Sequence, residues 1–150
     1  MNRLKIFMVI IIAMCTNYQL QAADNLTGVQ NRFKQYFAKT SADVKNAGNP
    51  SAKREILNNS FDNVRSVLGK VSLLPGISDQ DKSAVNSISK SVEEKQYELN
   101  GLNGYERVDD SKLNDFADYV RQDMEQAETW VTVSITTLLL AAILLLLIVK

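Results

Sequence analysis

Residues 57–71, LNNSFDNVRSVLGKV, carry the apolar pattern that decides the fold. Their apolar side chains recur at spacings of 4, 3, 4 and 3, which is the seam spacing of packed α-helices. The seam consists of Leu57, Phe61, Val64, Leu68 and Val71. Ile56, Val67 and Leu74 widen this seam into a stripe. We therefore expect a helix buried among several others and not one half of a two-stranded coiled coil.

Three breaks divide residues 23–129 into four segments of similar length: Gly48-Asn49-Pro50, Pro75-Gly76 with Ser78, and 101–110. The first and fourth segments carry apolar stripes at helical spacing, whereas the third stripe is thinner because Lys95 occupies the position that would continue it. The sequence thus predicts an all-α fold, an antiparallel four-helix bundle with up-down-up-down topology. The alternative is a more open array of helical hairpins whose apolar faces are completed by other copies or by a partner.

Capping residues predict where these helices begin and end. Ser51 has the character of an N-cap for the second helix. Ser78-Asp79 predicts the start of the third, because a hydroxyl caps free N–H groups and a carboxylate suits the positive end of the helix dipole. Asn100-Gly101 predicts the end of the third helix, and the fourth is expected to begin after Asp109-Asp110.

The stretch 130–149, WVTVSITTLLLAAILLLLIV, has no charged residue before Lys150. About twenty helical residues cross a hydrocarbon core of about 30 Å with every backbone hydrogen bond satisfied internally. We therefore predict a single transmembrane helix over residues 130–149 that continues the fourth helix of the bundle. Ser134, Thr137 and Ala141 form a candidate packing seam of small residues on this helix. Alternatively, the two hydroxyls bond their own backbone.

Residues 1–22 have the layout of a secretory signal peptide: a short basic region, an apolar run over residues 6–15 and a small residue, Ala22, at the expected cleavage point. The alternatives are an uncleaved anchor and a lipoprotein signal that uses Cys15. Export predicts that residues 23–129 form an extracytoplasmic helical domain and that Lys150 lies in the cytoplasm. The absence of cysteine after Cys15 favours a bacterial inner-membrane protein with a periplasmic domain.

The charges of the predicted domain are unevenly distributed. Residues 23–74 carry eight basic against four acidic side chains, a net charge of +4, whereas residues 75–129 carry six against thirteen, a net charge of −7. One interpretation is that these are solvated faces and that the two halves attract each other weakly within the bundle. The other is that the acids nearest the span hold the last helix off an anionic lipid surface. These acids are Asp115, Asp118, Asp123, Glu125 and Glu128.

Residue types that support catalysis or metal binding are scarce. The chain has no histidine, and its single cysteine, Cys15, falls in the predicted signal peptide. Two carboxylate groups, Glu93-Glu94 with Glu98 and Asp115 with Asp118, are interpreted as solvated helix faces. We therefore predict no enzyme activity, no catalytic residue, no cofactor and no metal site. Nucleic acid is not an expected partner, because the sequence has no concentrated basic face.

The longest predicted connection, residues 100–110, contains three apolar side chains, Leu102, Tyr105 and Val108. They either fold over the open end of the bundle or form a recognition surface, since binding residues favour loops carried on rigid scaffolds. We predict a membrane-anchored interaction or scaffold protein, an accessory subunit of a cell-envelope assembly. Its expected partners are the membrane and a second protein chain or further copies of itself, with no small-molecule substrate. The alternative is a ligand sensor or regulator that acts through the transmembrane helix.

Overall fold

The computed structural model describes residues 33–126 and, further along the chain, residues 141 and 143. Within these residues the chain is helical and contains no strand. Helix α1 covers residues 33–46, α2 Pro50–Ser72, α3 Asp79–Asn100 and α4 Leu113–Gln126, with a short 3₁₀ helix at Asp110–Lys112. The predicted signal peptide, residues 1–22, lies outside the described residues.

All four helices contribute side chains to one apolar core. The predicted seam of α2 is buried throughout, and the widening residue Val67 is buried with it. The other helices supply Phe33, Phe37 and Val44 from α1, Val85, Ile88, Val92 and Leu99 from α3, and Leu113, Phe116, Val120 and Met124 from α4. The prediction of an all-α bundle of four packed helices is thereby confirmed.

Side-chain contacts fix the directions of the helices. Asn58, early in α2, bonds to Asn100 at the end of α3, whereas Arg65, later in α2, bonds to Glu93, earlier in α3. These two helices are therefore antiparallel. Lys95 of α3 reaches the middle and later part of α4 at Tyr119 and Asp123, while α4 begins beside the end of α3. Helix α4 is accordingly antiparallel to α3 and runs in the same direction as α2.

Helix α2 begins two positions before its predicted start. Asn49 is the N-cap, not Ser51: its side-chain oxygen accepts a hydrogen bond from the amide of Ala52 at 2.9 Å. Pro50 occupies the first helical position, where its fixed φ suits the helix and its missing N–H costs nothing. The proline that suggests a stop for α1 therefore begins α2.

The other predicted helix ends agree more closely with the structure. The hydroxyl of Ser78 caps α3 by accepting a hydrogen bond from the amide of Asp81 at 3.1 Å. Gly101 ends α3 in the left-handed conformation. Before α4, the 3₁₀ helix Asp110–Lys112 intervenes, so that α4 begins at Leu113 and not directly after Asp110.

Lys95, which interrupts the apolar stripe of α3, contributes to the packing of α3 on α4. Its ammonium group lies 4.1 Å from the centre of the Tyr119 ring, bonds to the Tyr119 hydroxyl and lies 3.5 Å from Asp123. Burial alone lowers the pKa of Lys95, but the hydrogen bond to Tyr119 and the charges of Glu98 and Asp123 outweigh burial and raise that pKa. Where the apolar stripe of α3 is interrupted, Lys95 thus joins α3 to α4 through a charged contact.

Three ion pairs between elements join a base of the positive half to an acid of the negative half. They are Lys45–Asp118 at 2.8 Å, Arg54–Asp110 at 2.7 Å and Arg65–Glu93 at 2.7 Å. Among the acids expected to repel a lipid surface, Asp118 is paired with Lys45, Asp123 with Lys95 and Glu125 with Arg121. Partly exposed ion pairs contribute little to stability. They do show that the positive and negative halves of the sequence face each other within the bundle.

Within the described residues, no helix is both long enough and apolar enough to cross a membrane. The predicted span, residues 130–149, lies outside the described residues except for Ala141 and Ile143, both of which are helical.

Candidate functional site

The candidate site lies on the α3–α4 loop, residues 101–109, which closes tightly at its base. Gly101 adopts φ +70°, and the amide of Leu102 donates a hydrogen bond to the carbonyl of Tyr97 at 2.9 Å. A Cβ atom at Gly101 would lie 2.7 Å from the Cβ of Arg107, which is too close for any side chain. The end of the loop, at Arg107, therefore packs directly against its first residue, Gly101, and only glycine permits this approach.

A reverse turn at Asn103-Gly104 forms the tip of the loop. Both residues have positive φ, +53° and +87°, and the amide of Tyr105 donates a hydrogen bond to the carbonyl of Leu102 at 3.0 Å. Two consecutive positive φ angles are typical of the type I′ turn, for which Asn-Gly is the preferred pair. This turn holds Leu102 and Tyr105 on either side of a short, well-defined tip.

The structure divides the three predicted recognition residues between two roles. Leu102 and Tyr105 are exposed, at 50% and 43% of their surface. Val108 is half-buried and packs against the core. The loop thus covers part of the bundle with one apolar residue and presents the other two to the surroundings.

Arg54 of α2 holds the loop in place. Its guanidinium donates hydrogen bonds to the carbonyl of Leu99, to the carbonyl of Val108 at 2.7 Å and to a carboxylate oxygen of Asp110 at 2.7 Å. These three acceptors lie at the end of α3, in the loop and at the start of the 3₁₀ helix. The Arg54 side chain is only 13% exposed, so its bonds to the two carbonyls are partly shielded from water, whereas Asp110, at 50% exposed, faces solvent.

The carboxylate of Asp110 lies on the solvent side of Arg54 and contacts the guanidinium groups of both Arg54 and Arg107. Its pKa is lowered, chiefly by the hydrogen bond from Arg54 and further by the positive charge of Arg107, whose guanidinium lies 3.3 Å away. Asp110 is therefore ionised at neutral pH and keeps both guanidinium groups beside the loop.

An open cleft of about 450 Å³ lies next to the loop, between its base and the first turns of α2. It is lined by Ser51, Arg54, Glu55, Asn58, Arg107 and Asp110. Both signs of charge line it, and Arg107 still directs part of its guanidinium to solvent, since its side chain is 53% exposed. The loop and the cleft together offer two exposed apolar side chains beside a polar, charged recess, which suits a protein surface better than a small apolar ligand.

Sequence reasoning identified the loop but not Arg54. A signal for it exists: Lys53 and Arg54 lie in the first turns of α2, where the helix dipole disfavours positive charge, and that helix has no acid in its first turn. Both cations are offset by other elements, Lys53 by the side-chain oxygen of Asn114 at 2.8 Å and Arg54 by Asp110. A basic pair at an unfavourable helix end therefore indicates a tertiary partner.

The carboxylates that share a helix face mostly form ion pairs. Glu93 pairs with Arg65, Glu98 with Lys95 and Asp115 with Lys112, the last at a longer 3.8 Å. Among the described residues, no group of three or more metal-ligating side chains converges on one point.

Of the candidate transmembrane packing seam, the structure describes Ala141 alone, which is helical and buried at 1% exposure. Ser134 and Thr137 lie outside the described residues. Comparisons of this chain with models of known protein families, with curated proteins and with solved structures found no match.

Proposed function

We propose that this protein is a membrane-anchored, extracytoplasmic helical interaction protein, an accessory subunit of a cell-envelope assembly that binds a partner chain through the α3–α4 loop. The observation that carries the proposal is the exposure of Leu102 and Tyr105 on a loop that Arg54 fixes to the bundle.

The rigidity of the loop supports a binding role. A flexible loop loses conformational freedom when a partner orders it, and this loss reduces affinity. The turn at Asn103-Gly104, the close approach at Gly101 and the bonds of Arg54 order the loop before any partner arrives. An exposed tyrosine and leucine on such a support are the kind of apolar anchors that dominate protein interfaces, while Arg107 and the cleft supply the polar rim.

The direction of the helices supports the same role. Helix α4 begins next to the loop and leads toward the apolar segment 130–149. The loop consequently lies at the end of the bundle that is remote from this segment. If residues 130–149 cross the bilayer, as the sequence predicts, Leu102 and Tyr105 point away from the membrane, where a partner has access to them.

Site-specific photocrosslinking in native membranes tests the proposal. A benzophenone amino acid is placed at Tyr105 and, as the control, at Gln122, which is exposed on the flank of α4. We expect a covalent product of defined mass from position 105 and none from position 122; that product contains either a second copy or a different chain. If probes at Leu102 and Tyr105 both give no product, the loop is not an interaction surface and the proposal is wrong.

A further inference from the structure

The most exposed large apolar side chain among the described residues lies outside the candidate site, at the opposite end of the bundle. Leu73 is 84% exposed. It belongs to the α2–α3 turn, residues 73–77, whose sequence is LLPGI. We name these residues the apolar tip. They contain no charged or hydrogen-bonding side chain, and Gly76, at φ +87°, turns the chain back toward α3.

The apolar tip lies at the end of the bundle from which the chain continues to the apolar segment 130–149. Lys53, early in α2, bonds to Asn114, early in α4, and the two helices run in the same direction. Both helices therefore end at the same end of the bundle, where α2 leads into the apolar tip and α4 leads toward residues 127–149.

We infer that the apolar tip inserts into the outer interface of the same bilayer that residues 130–149 cross, so that the bundle touches lipid at a second point. This inference rests on the membrane anchoring in the proposed function. Only residues 127–129 separate the described end of α4 from Trp130, so this end of α4 stays within about 14 Å of the apolar segment.

The chemistry around the tip suits a lipid interface. Burial of apolar area drives binding at the boundary between headgroups and acyl chains, and the tip offers the 84% exposed Leu73 in a turn without polar side chains. Lys70 is exposed in the last turn of α2, and Lys82 is partly exposed on α3, so two cations flank the tip at headgroup level. Two acids lie beside them in the first turn of α3: Asp79, 3.4 Å from Lys82, and Asp81, which is buried.

The consequence of the second contact is a fixed orientation. A single helical anchor leaves the bundle free to tilt, whereas an anchor and an inserted loop hold it upright. The α3–α4 loop then stands away from the membrane by about the length of α2, whose 23 residues extend for about 35 Å.

The test uses the full chain, with Cys15 replaced by serine, in proteoliposomes that contain lipids labelled with nitroxide in the acyl chains. An environment-sensitive fluorophore is attached to Leu73→Cys. The matched control is Leu102→Cys, another exposed leucine, at the opposite end. A third variant, Leu140→Cys, reports on the apolar segment itself. We expect blue-shifted, lipid-quenched emission at positions 73 and 140, and water-like, unquenched emission at position 102.

Three outcomes would overturn the inference, and they differ from one another. Quenching at position 140 with water-like emission at position 73 leaves the anchor intact and shows that the tip is in water. Blue-shifted emission at position 73 that lipid does not quench, together with a disulfide between two copies of the unlabelled Leu73→Cys variant under oxidising conditions, shows that a second copy covers the tip. No quenching at position 140 removes the membrane anchoring and the tip insertion together.

Discussion

Replacing Arg54 by methionine is expected to destabilise the bundle far more than a surface substitution does. Methionine retains much of the length and apolar volume of the side chain but has no donor, so the carbonyls of Leu99 and Val108 lose their bonds to the guanidinium. Leaving a shielded carbonyl unsatisfied costs about 1–3 kcal/mol. Both carbonyls are only partly buried, so the lower half of this range applies to each, and the expected loss is about 2–4 kcal/mol in total.

This loss is measurable by urea denaturation of the full chain in detergent, followed by circular dichroism. With a slope of about 2 kcal/mol per molar urea, a loss of about 3 kcal/mol lowers the midpoint by about 1.5 M. The control is Arg107→Met, which removes an exposed guanidinium from the same acid, Asp110, and is expected to change the free energy of unfolding by at most about 0.5 kcal/mol. Arg54→Lys is expected to remain close to Arg54→Met, because one ammonium group cannot reach three diverging acceptors.

If the midpoint of Arg54→Met equals that of Arg107→Met, the guanidinium does not hold the α3–α4 loop. The loop would then not be ordered in advance by Arg54, even if the four helices pack as described. Hydrogen exchange of the loop amides distinguishes a loosened loop from a loosened bundle, because only the former leaves the amides of α2 protected.

Two further predictions concern particular residues. Gly101→Ala is expected to lower the thermal midpoint by an amount equivalent to about 1–2 kcal/mol or more, because φ +70° and the contact with Arg107 both exclude a side chain. The control is Gly69→Ala, at an open position within α2, which is expected to stabilise the protein by about 0.5–1 kcal/mol. Equal effects of the two substitutions would contradict the described loop. The pKa of Asp118 is lowered by its hydrogen bonds from Lys45 and Ser41, so its contribution to stability is present above the unfolded pKa of about 3.9 and is lost as the pH falls through the folded pKa. Lys45→Met should return the Asp118 pKa, measured by NMR, toward its ordinary value, and an unchanged pKa would refute the pairing.

The helical fold was predictable because its signal is local and repeated. Each residue of the Leu57–Val71 seam reports the same period, and a helix with that stripe must bury it. Ser78 and Gly101 were predictable for a similar reason, since the groups that they cap lie within four residues of them. The start of α2 was misplaced because Asn49, Pro50 and Ser51 all favour a helix start, and propensity alone does not choose among adjacent positions.

The candidate site was predictable only in part. Composition identified the α3–α4 loop, but the division between the exposed Leu102 and the half-buried Val108 depends on the tight turn that closes the loop. The roles of Arg54 and Lys95 depend on partners 54 and 24 positions away, respectively, on other elements, at distances that no periodic pattern reports. Long polar side chains are therefore the residues whose roles sequence periodicity predicts least.

The central claim is that residues 130–149 anchor the bundle on the outer face of a membrane, and one labelling measurement tests it most directly. Asn103→Cys, at the exposed turn of the α3–α4 loop, is expressed with Cys15 replaced by serine in spheroplasts of a Gram-negative host and treated with a membrane-impermeant maleimide. We expect position 103 to be labelled in intact spheroplasts and the labelled protein to stay in the membrane pellet after alkaline carbonate extraction. Labelling that requires lysis, or release of the protein by carbonate, would contradict the central claim.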